Sequence, residues 1–309
     1  MKHLTVGLFH DDALGRELGK KGTESDIIMF NRKMDDCIFT FMSPVDDKIT
    51  AKSQIVSAID AAIVLFNGRT RELGESIVLL NSVGVSTGIA IASPYVTPDQ
   101  VRGITKGTAL ESFKVSEKDP VKILEILRAI DPEREVSSPV EVVVDHSFSV
   151  KGVGEVLLGF VKRGIVKKYD KLNLLPANKE VLVRSIQLQD EDCEEAPAGA
   201  RVGLAVKGAT VEELKRGSIL STSDNVKMAA ALRLHFDKSP FYPNDVKEGV
   251  LHLTVGMQST PVTIKERNGN LIAIESEKPI CYAPEDVFLL LDLNAQTSRI
   301  VGKCHTVNS

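Results

Sequence analysis

The sequence predicts an α/β domain followed by two all-β barrel domains. In the first part of the chain, apolar strands alternate with helical stretches, whereas strand-like runs with glycine or proline at their turns recur after it. A polar, proline-flanked segment at 131–139 separates the two parts and has the composition of a linker. We therefore place domains at 1–137, 138–223 and 224–309.

The first domain contains buried strands and amphipathic helices in alternation. The strands are 4–9, 37–42, 61–66 and 88–92, and the helices are 49–59, 74–83 and 120–130. Strands that are apolar along their whole length and are joined by helices predict a parallel sheet that is covered on both faces. Pro120 suits the first turn of the last helix, because a missing backbone N–H costs nothing there.

The remaining strands are short and recur every eight to twelve residues, as in small barrels or sandwiches. In the second domain they are 141–144, 154–161, 171–174, 181–187 and 201–206. In the third domain they are 229–236, 250–255, 260–265, 271–275, 287–293 and 299–306.

Composition restricts the classes of function. The 309 residues carry a formal net charge of −4, so any contact with RNA requires a local basic patch rather than a global field. The cysteines at 37, 193, 281 and 304 lack C-x-x-C spacing, which argues against both a zinc site and a disulfide framework. Without a signal peptide or a long apolar run, we expect a cytoplasmic monomer that does not contact membranes.

The second domain carries the motif that identifies a family. The run Val144-Asp-His-Ser-Phe-Ser-Val-Lys-Gly-Val-Gly-Glu-Val-Leu-Leu-Gly159 resembles domain two of translational GTPases, and Lys162-Arg-Gly-Ile-Val-Lys-Lys-Tyr-Asp170 continues the match. Three further segments agree in order and spacing: Val183-Arg-Ser-Ile186, Ala198-Gly-Ala-Arg-Val-Gly-Leu-Ala205 and Leu214-Lys-Arg-Gly-Ser-Ile-Leu220. Gly152 and Gly154 allow a tight turn between two strands.

The resemblance is strongest to archaeal SelB-like elongation factors, which share the Asp-His-x-Phe pattern, whereas EF-Tu has two acidic residues there. Residues 249–257 and 299–302 resemble strands of the third domain of these factors. We expect no counterpart of the C-terminal RNA-binding domain of SelB, as in the group called EF-Pyl-like. The resemblance implies the three-domain architecture of elongation factor Tu, with a G-like first domain.

That first domain lacks the nucleotide motifs of the family. A phosphate-binding loop requires G-x-x-x-x-G-K-[ST], because backbone amides wrap the phosphates and the hydroxyl binds magnesium. Phe9-His-Asp-Asp-Ala-Leu-Gly-Arg16 stands in that position, and Asp11 and Asp12 would repel a triphosphate. The segment Gly15-Arg-Glu-Leu-Gly-Lys-Lys21 is one residue short between its glycines, and we treat it as a chance match.

The other nucleotide motifs are also absent. Phe41-Met-Ser-Pro-Val45 replaces the Asp-x-x-Gly motif, with Asp46 and Asp47 slightly later, and Ala92-Ser-Pro-Tyr95 replaces the guanine-reading Asn-Lys-x-Asp. Gly22-Thr23 is the one remnant of the first switch segment. We therefore expect neither tight GTP binding nor hydrolysis, no catalytic residue, and no GTP or magnesium cofactor, although the family uses both.

The resemblance also implies an aminoacyl pocket in the second domain. In SelB-like factors, an aspartate–histidine pair and an arginine across the barrel hold the charged amino acid, and these positions fall on Asp145, His146 and Arg201. Arginine and histidine supply donors, and the aspartate accepts from an α-amine or orients the arginine. Phe148 is expected to pack beneath them. The alternative is that Asp145 and His146 end a strand and Arg201 is a solvated turn residue.

Two further groups of residues invite a functional interpretation. The Lys162-Arg163 and Lys167-Lys168 pairs are candidates for contact with acceptor-stem phosphates, although surface lysines on a barrel commonly serve solubility alone. His10 lies beside two aspartates, but without a second ligand at helical spacing we predict a loop residue and no metal site.

The leading hypothesis is a SelB-like factor that binds a special aminoacyl-tRNA, with pyrrolysyl-tRNA as a candidate, and that has lost GTP binding. The ribosome is a further candidate partner. Two alternatives stay open: a working GTPase with an unusual nucleotide site around 15–23, and a regulatory decoy of the ribosomal factor site that binds no tRNA.

Overall fold

The computed structural model describes residues 1–307, and contacts within it divide the chain into two compact units. The first unit comprises Met1–Pro132, Lys238–Asp245 and Leu289–Lys303. The second comprises Glu133–Asp237, Val246–Phe288 and the chain from Cys304 onward. Among the described residues, no helix combines the length and apolar character needed to cross a membrane.

An α/β arrangement forms the first part of the chain. Its strands are β1 (Lys2–Phe9), β2 (Lys20–Glu24), β3 (Ile27–Lys33), β4 (Cys37–Pro44), β5 (Ala61–Phe66), β6 (Gly88–Ala92) and β7 (Lys114–Ser116). Its helices are α1 (Asp12–Leu18), α2 (Ile49–Val56), α3 (Arg71–Val83), α4 (Pro98–Thr105) and α5 (Pro120–Arg128), with 3-10 turns at Val45–Asp47 and Ala109–Ser112.

The sheet has the order β2-β3-β4-β1-β5-β6-β7 and is parallel from β4 to β7. The four predicted strands are β1, β4, β5 and β6, and the parallel pairing expected for them is confirmed. The sequence pattern did not predict β2 and β3, which form an antiparallel extension, or β7. The edge strand β2 is charged and exposed and β7 has three residues, so neither shows a buried apolar run.

Side-chain caps explain where the helices begin. The Thr70 hydroxyl accepts from the Leu73 amide ahead of α3, and Thr97 forms a capping box with Gln100 at α4. Asp119 caps α5, in which Pro120 takes the first position as predicted. Gly84 ends α3 in the left-handed conformation, with φ of 84°.

The second part of the chain closes into a barrel. Its strands are β8 (Glu141–Val150), β9 (Gly154–Arg163), β10 (Ile165–Lys167), β11 (Lys171–Leu175), β12 (Lys179–Leu188), β13 (Glu191–Cys193), β14 (Glu195–Pro197), β15 (Arg201–Lys207) and β16 (Ile219–Ser221). The order β11-β16-β8-β9-β15-β12-β13 closes because β11 also pairs with β12, and β10 with β14 forms a separate ribbon. Alternating apolar residues fill the interior, as Val142 and Val144 of β8 illustrate.

Glycines fix two local features of this barrel. Gly152 and Gly154 have φ of 83° and 103°, so the turn between β8 and β9 uses the backbone freedom that the sequence indicated. At Gly159 a Cβ atom would lie 2.5 Å from the Val143 carbonyl oxygen, so this position permits close approach of β8 and β9.

A second closed barrel follows. Its strands are β17 (Lys227–Lys238), β18 (Gly249–Val255), β19 (Gln258–Asn268), β20 (Leu271–Tyr282), β21 (Phe288–Leu291) and β22 (Ile300–Thr306), in the order β17-β20-β19-β18-β21-β22. In β17, the buried Leu232, Leu234 and Phe236 alternate with exposed residues. The predicted fold class is thus confirmed, while the boundaries at 137/138 and 223/224 remain predictions.

Candidate functional site

Asp145 lies where β8 departs from regular pairing. The register between β8 and β9 shifts between Val144 and His146, so a bulge occurs at Asp145. The side chain of Asp145 is only 2% exposed, whereas His146 after it faces solvent. The bulge therefore directs a carboxylate into the barrel at a position that contacts other strands.

The partner of this carboxylate is Arg201, the first residue of β15. Arg201 donates from Nη2 to Asp145 Oδ2 at 3.0 Å, and its guanidinium carbon lies 5.9 Å from the centre of the Phe160 ring. A buried carboxylate that is paired and hydrogen-bonded avoids the penalty of an isolated charge. The structure thus brings together two of the predicted pocket residues and rules out a solvated turn for Arg201, whose side chain is 10% exposed.

A second arginine, which was not among the predicted site residues, completes the cluster. Arg216 donates from Nε to the Asp145 main-chain oxygen at 3.1 Å, and the same nitrogen lies 3.7 Å from Asp145 Oδ1. Two guanidinium groups and one carboxylate leave a net charge of +1. The family-like segment 214–220 contained this arginine, but only the fold shows that the loop before β16 returns to β8.

His146 and Phe148 lie together on the exposed side of β8. Their ring centres are 6.1 Å apart with 42° between the ring planes, and Phe148 is 38% exposed. The expected position of Phe148 beneath Asp145 and Arg201 was wrong, because residues two apart in a strand share a face and Asp145 faces the other way. The ring beside Arg201 is Phe160 instead.

Lys162 and Arg163, at the end of β9, are held by carboxylates. Lys162 lies 3.1 Å from Glu141 and 2.8 Å from Asp286, and Arg163 pairs with Glu285 and, at 3.3 Å, with Glu135. Although burial disfavours the charged form, the two carboxylates raise the pKa of Lys162. Both cations are therefore already neutralised within the second unit.

Lys167 and Lys168 are the more weakly held pair. Lys167 lies 3.6 Å from Glu195, and Lys168 lies 3.3 Å from Glu194 and 5.4 Å from the centre of the exposed Tyr169 ring. Exposed ion pairs of this kind contribute little and exchange readily with other anions. Of the four predicted phosphate contacts, Lys167 is the most accessible, with its side chain 59% exposed.

In the first unit, the carboxylates after β1 have internal partners. Asp11 caps α1 by accepting from the Leu14 amide, and Lys118 lies 2.7 Å from its Oδ2. Asp12 accepts from the Ser43 hydroxyl at 2.7 Å. The carboxylates of Asp11 and Asp12 are thus both paired with groups of the first unit.

A buried lysine stands beside this loop. The side chain of Lys52, in α2, is 0% exposed, lies 2.5 Å from Asp47 Oδ1 and donates to the Glu72 carbonyl at 3.1 Å. Burial lowers the pKa of Lys52, while Asp47 opposes that shift. Asp46 and Asp47 both have positive φ, of 51° and 53°, so the strained backbone turns the Asp47 carboxylate towards the lysine.

His10 joins the same cluster. Its Nε2 lies 3.0 Å from the Ser76 hydroxyl and its Nδ1 lies 3.6 Å from Asp47, and its φ of 69° confirms the predicted loop position. Burial first, and Lys52 next, lower the pKa of His10 to about 4. Within residues 1–307, no group of three or more His, Cys, Asp or Glu side chains has the arrangement of a metal site.

The lowered pKa of His10 predicts a pH dependence of stability. Because the unfolded chain binds the histidine proton below about pH 6.5 and the folded chain only near pH 4, stability falls as the pH drops through this window. Between pH 7 and pH 5, the free energy of unfolding of His10→Asn should fall by about 2 kcal/mol less than that of the parent chain. Asparagine is the replacement because it tolerates the positive φ. Urea unfolding at both pH values measures the difference, and equal losses would contradict the assignment.

The comparisons with known proteins agree with this organisation. The family model for elongation factor Tu domain 2 matches residues 154–221. The uncharacterized protein MJ0325 of Methanocaldococcus jannaschii is 38% identical over 306 residues, which cover 98% of this chain and 99% of that protein. The chain belongs to the MJ0325 family.

This MJ0325 family member is also similar to a longer elongation factor. The selenocysteine-specific elongation factor of M. jannaschii is 30% identical over 233 residues, which cover 67% of the chain and 49% of that factor. The chain therefore spans about half the length of this relative.

Two solved structures share the fold. SelB of Methanococcus maripaludis, in complex with the GTP analogue GppNHp, matches with a TM-score of 0.84 at 22% identity, over 100% of this chain and 79% of that one. A bacterial selenocysteine-specific factor, EF-Sec, matches with a TM-score of 0.81 at 18% identity, over 99% and 58%. The sequence matches to elongation factor Tu domain 2 and to the selenocysteine-specific factor, together with this shared fold, relate the MJ0325 family member to the EF-Tu/SelB group of translation factors.

Proposed function

We propose that the chain is a SelB-like translation elongation factor that binds an aminoacyl-tRNA through the barrel formed by β8–β16 and has no GTP cycle. The observation that carries this proposal is a contrast between two sites. The barrel keeps Asp145 and Arg201 paired, whereas the loop after β1 pairs its carboxylates with internal donors.

The barrel cluster suits the end of a charged tRNA. Arg201 and Arg216 are fixed by Asp145 and carry donors that an ester carbonyl or a phosphate oxygen accepts. The carboxylate, which is only 2% exposed, orients both guanidinium groups and offers an acceptor to an α-amine. Lys167 and Lys168 would add phosphate contacts on the same barrel.

The first unit does not fit a magnesium–triphosphate group. Asp11 and Asp12 lie where the phosphates of a nucleotide would approach, and like charges repel there. The cations that would offset them are already used, because Lys118 pairs with Asp11 and the buried Lys52 pairs with Asp47. The proposal therefore includes neither GTP nor magnesium as a cofactor.

The decisive experiment measures protection of the aminoacyl ester. Deacylation of several charged tRNAs is followed with and without the protein, and the resemblance to EF-Pyl-like factors makes pyrrolysyl-tRNA the first to test. We expect one charged tRNA to hydrolyse more slowly in the presence of the protein. If no charged tRNA is protected, the tRNA role is excluded, and a decoy that binds the ribosomal factor site becomes the better explanation.

Nucleotide titration tests the second half of the proposal. We expect a fluorescent GTP analogue to show no saturable, magnesium-dependent binding at micromolar concentrations, because the Lys52 and Lys118 ion pairs occupy the available positive charge. Catalytically active SelB serves as a positive control. Tight magnesium-dependent binding would instead support a working GTPase with an unusual nucleotide site.

A further inference from the structure

A cleft in the first unit lies away from the loop after β1. It has a volume of about 440 Å³ and opens between α4, the turn at 109–112, β6 and the edge strand β7. This volume falls within the range of small-molecule sites, which is roughly 300–1,000 Å³. The cleft does not include any residue of the proposed tRNA or nucleotide sites.

The floor of the cleft is apolar. Ala90 of β6, Val101 of α4, Leu110 and Phe113 line it, and each of these residues is buried. Thr105 also lines the cleft, but its hydroxyl donates to the Val101 carbonyl at 3.1 Å and is satisfied within α4. The small Ala90 side chain leaves open the space over the sheet that a larger residue would fill. The floor therefore favours an apolar group over a polar one.

The mouth of the cleft carries cations and carboxylates. Arg102, Lys106 and Glu111 line it, and Asp99, which pairs with Arg102, brings the sum of these charges to zero. The Glu111 carboxylate is held by the Gly107 amide at 2.9 Å. Arg102 pairs only with Asp99 on the surface, and among residues 1–307 no carboxylate lies within 4.0 Å of the Lys106 ammonium. Such exposed cations are available to an incoming anion.

We propose that this cleft binds a small amphipathic monoanion, with its apolar body over Ala90 and Phe113 and its anionic group beside Lys106 and Arg102. A carboxylate attached to a short hydrocarbon chain has this chemistry. The cations at the mouth select against a neutral ligand of the same length, and the apolar floor selects against a small inorganic anion. The proposal is independent of the tRNA role, because all of its residues lie in the first unit.

Calorimetric titration with sodium octanoate, compared with octanol and with acetate, tests the proposal on the full chain. We expect saturable binding of octanoate to one site, and weaker binding of both octanol and acetate. Lys106→Gln should weaken octanoate binding about fivefold, as expected for the loss of one exposed ion pair, and leave octanol binding unchanged. Lys20→Gln, on the edge strand β2 at the far side of the sheet, is the matched control and should have no effect.

A second variant tests whether the ligand binds in the cleft. Val101→Phe adds volume to the floor and should abolish octanoate binding, with far-UV circular dichroism used to verify that α4 still forms. Equal binding of octanoate and octanol, or an unchanged octanoate affinity in Lys106→Gln, would overturn the proposal. Because Lys106 is exposed and its replacement leaves the core intact, that comparison remains decisive even where Val101→Phe does not fold.

Discussion

Glu75→Ala should destabilise the first unit by about 3 kcal/mol, the largest stability effect expected for a single ion pair in this chain. Glu75, in α3, is 1% exposed and accepts from Arg299 Nη2 at 2.6 Å, from Nε at 3.0 Å and from the Arg299 amide at 2.9 Å. These contacts raise the pKa of Arg299, mainly through its hydrogen bonds to Glu75. Removing the carboxylate leaves a mostly buried guanidinium and a backbone amide without their acceptor.

Urea unfolding, followed by the helical circular-dichroism signal, measures this loss of stability in the α/β part of the chain. Among the described residues, all five α-helices lie between residues 12 and 128, so the signal reports on the α/β part. Glu117→Ala is the matched control, because its pair with Lys122 is exposed and spans 3.9 Å, and we expect a change below about 0.5 kcal/mol. A loss in Glu75→Ala no larger than the control would show that this pair contributes nothing.

A double replacement separates charge burial from packing. Leucine at both Glu75 and Arg299 removes the two charges together, so neither is left uncompensated, and much of the lost stability should return. If the double variant loses as much free energy of unfolding as the two single variants together, the loss arises from the changed side-chain shape rather than from the unpaired charge.

Arg201→Met should weaken binding of the protected aminoacyl-tRNA about a hundredfold, which corresponds to roughly 3 kcal/mol. The change removes the guanidinium donors and leaves the Asp145 carboxylate without its 3.0 Å partner. Asp145→Asn should weaken binding as well, because a neutral amide no longer fixes the two arginines in place. Ester-protection assays across a range of protein concentrations give the affinities.

The control must separate a binding effect from unfolding of the barrel. Lys171→Met changes an exposed lysine on the same barrel, paired with Glu180 at 3.0 Å, and we expect its affinity to stay within about twofold of the parent chain. Thermal unfolding of each variant shows whether the barrel persists. A folded Arg201→Met variant that protects the ester as well as the parent chain would remove Arg201 from the proposed site.

The barrel predictions succeeded where local chemistry and chain pattern agree. Glycines at 152 and 154 specify a tight turn because their φ values are positive, and apolar residues alternate along β8 because its two faces differ in environment. The family-like spacing also paired Asp145 with Arg201, and the structure joins them directly. By contrast, β2 and β7 were not predicted, because a charged edge strand and a three-residue strand carry no periodic signal.

By itself, the sequence determined the fold class, the order of the three domains and the absence of recognisable nucleotide motifs, since each depends on residue type and spacing along the chain. Only the tertiary structure decided which charges meet. Arg216 reaches Asp145 across 71 positions, and Arg299 reaches Glu75 across 224. The bulge at Asp145 also separates it from His146 and Phe148. Contacts between distant residues, and the side of a strand that a bulge selects, depend on packing and register, which no local pattern encodes.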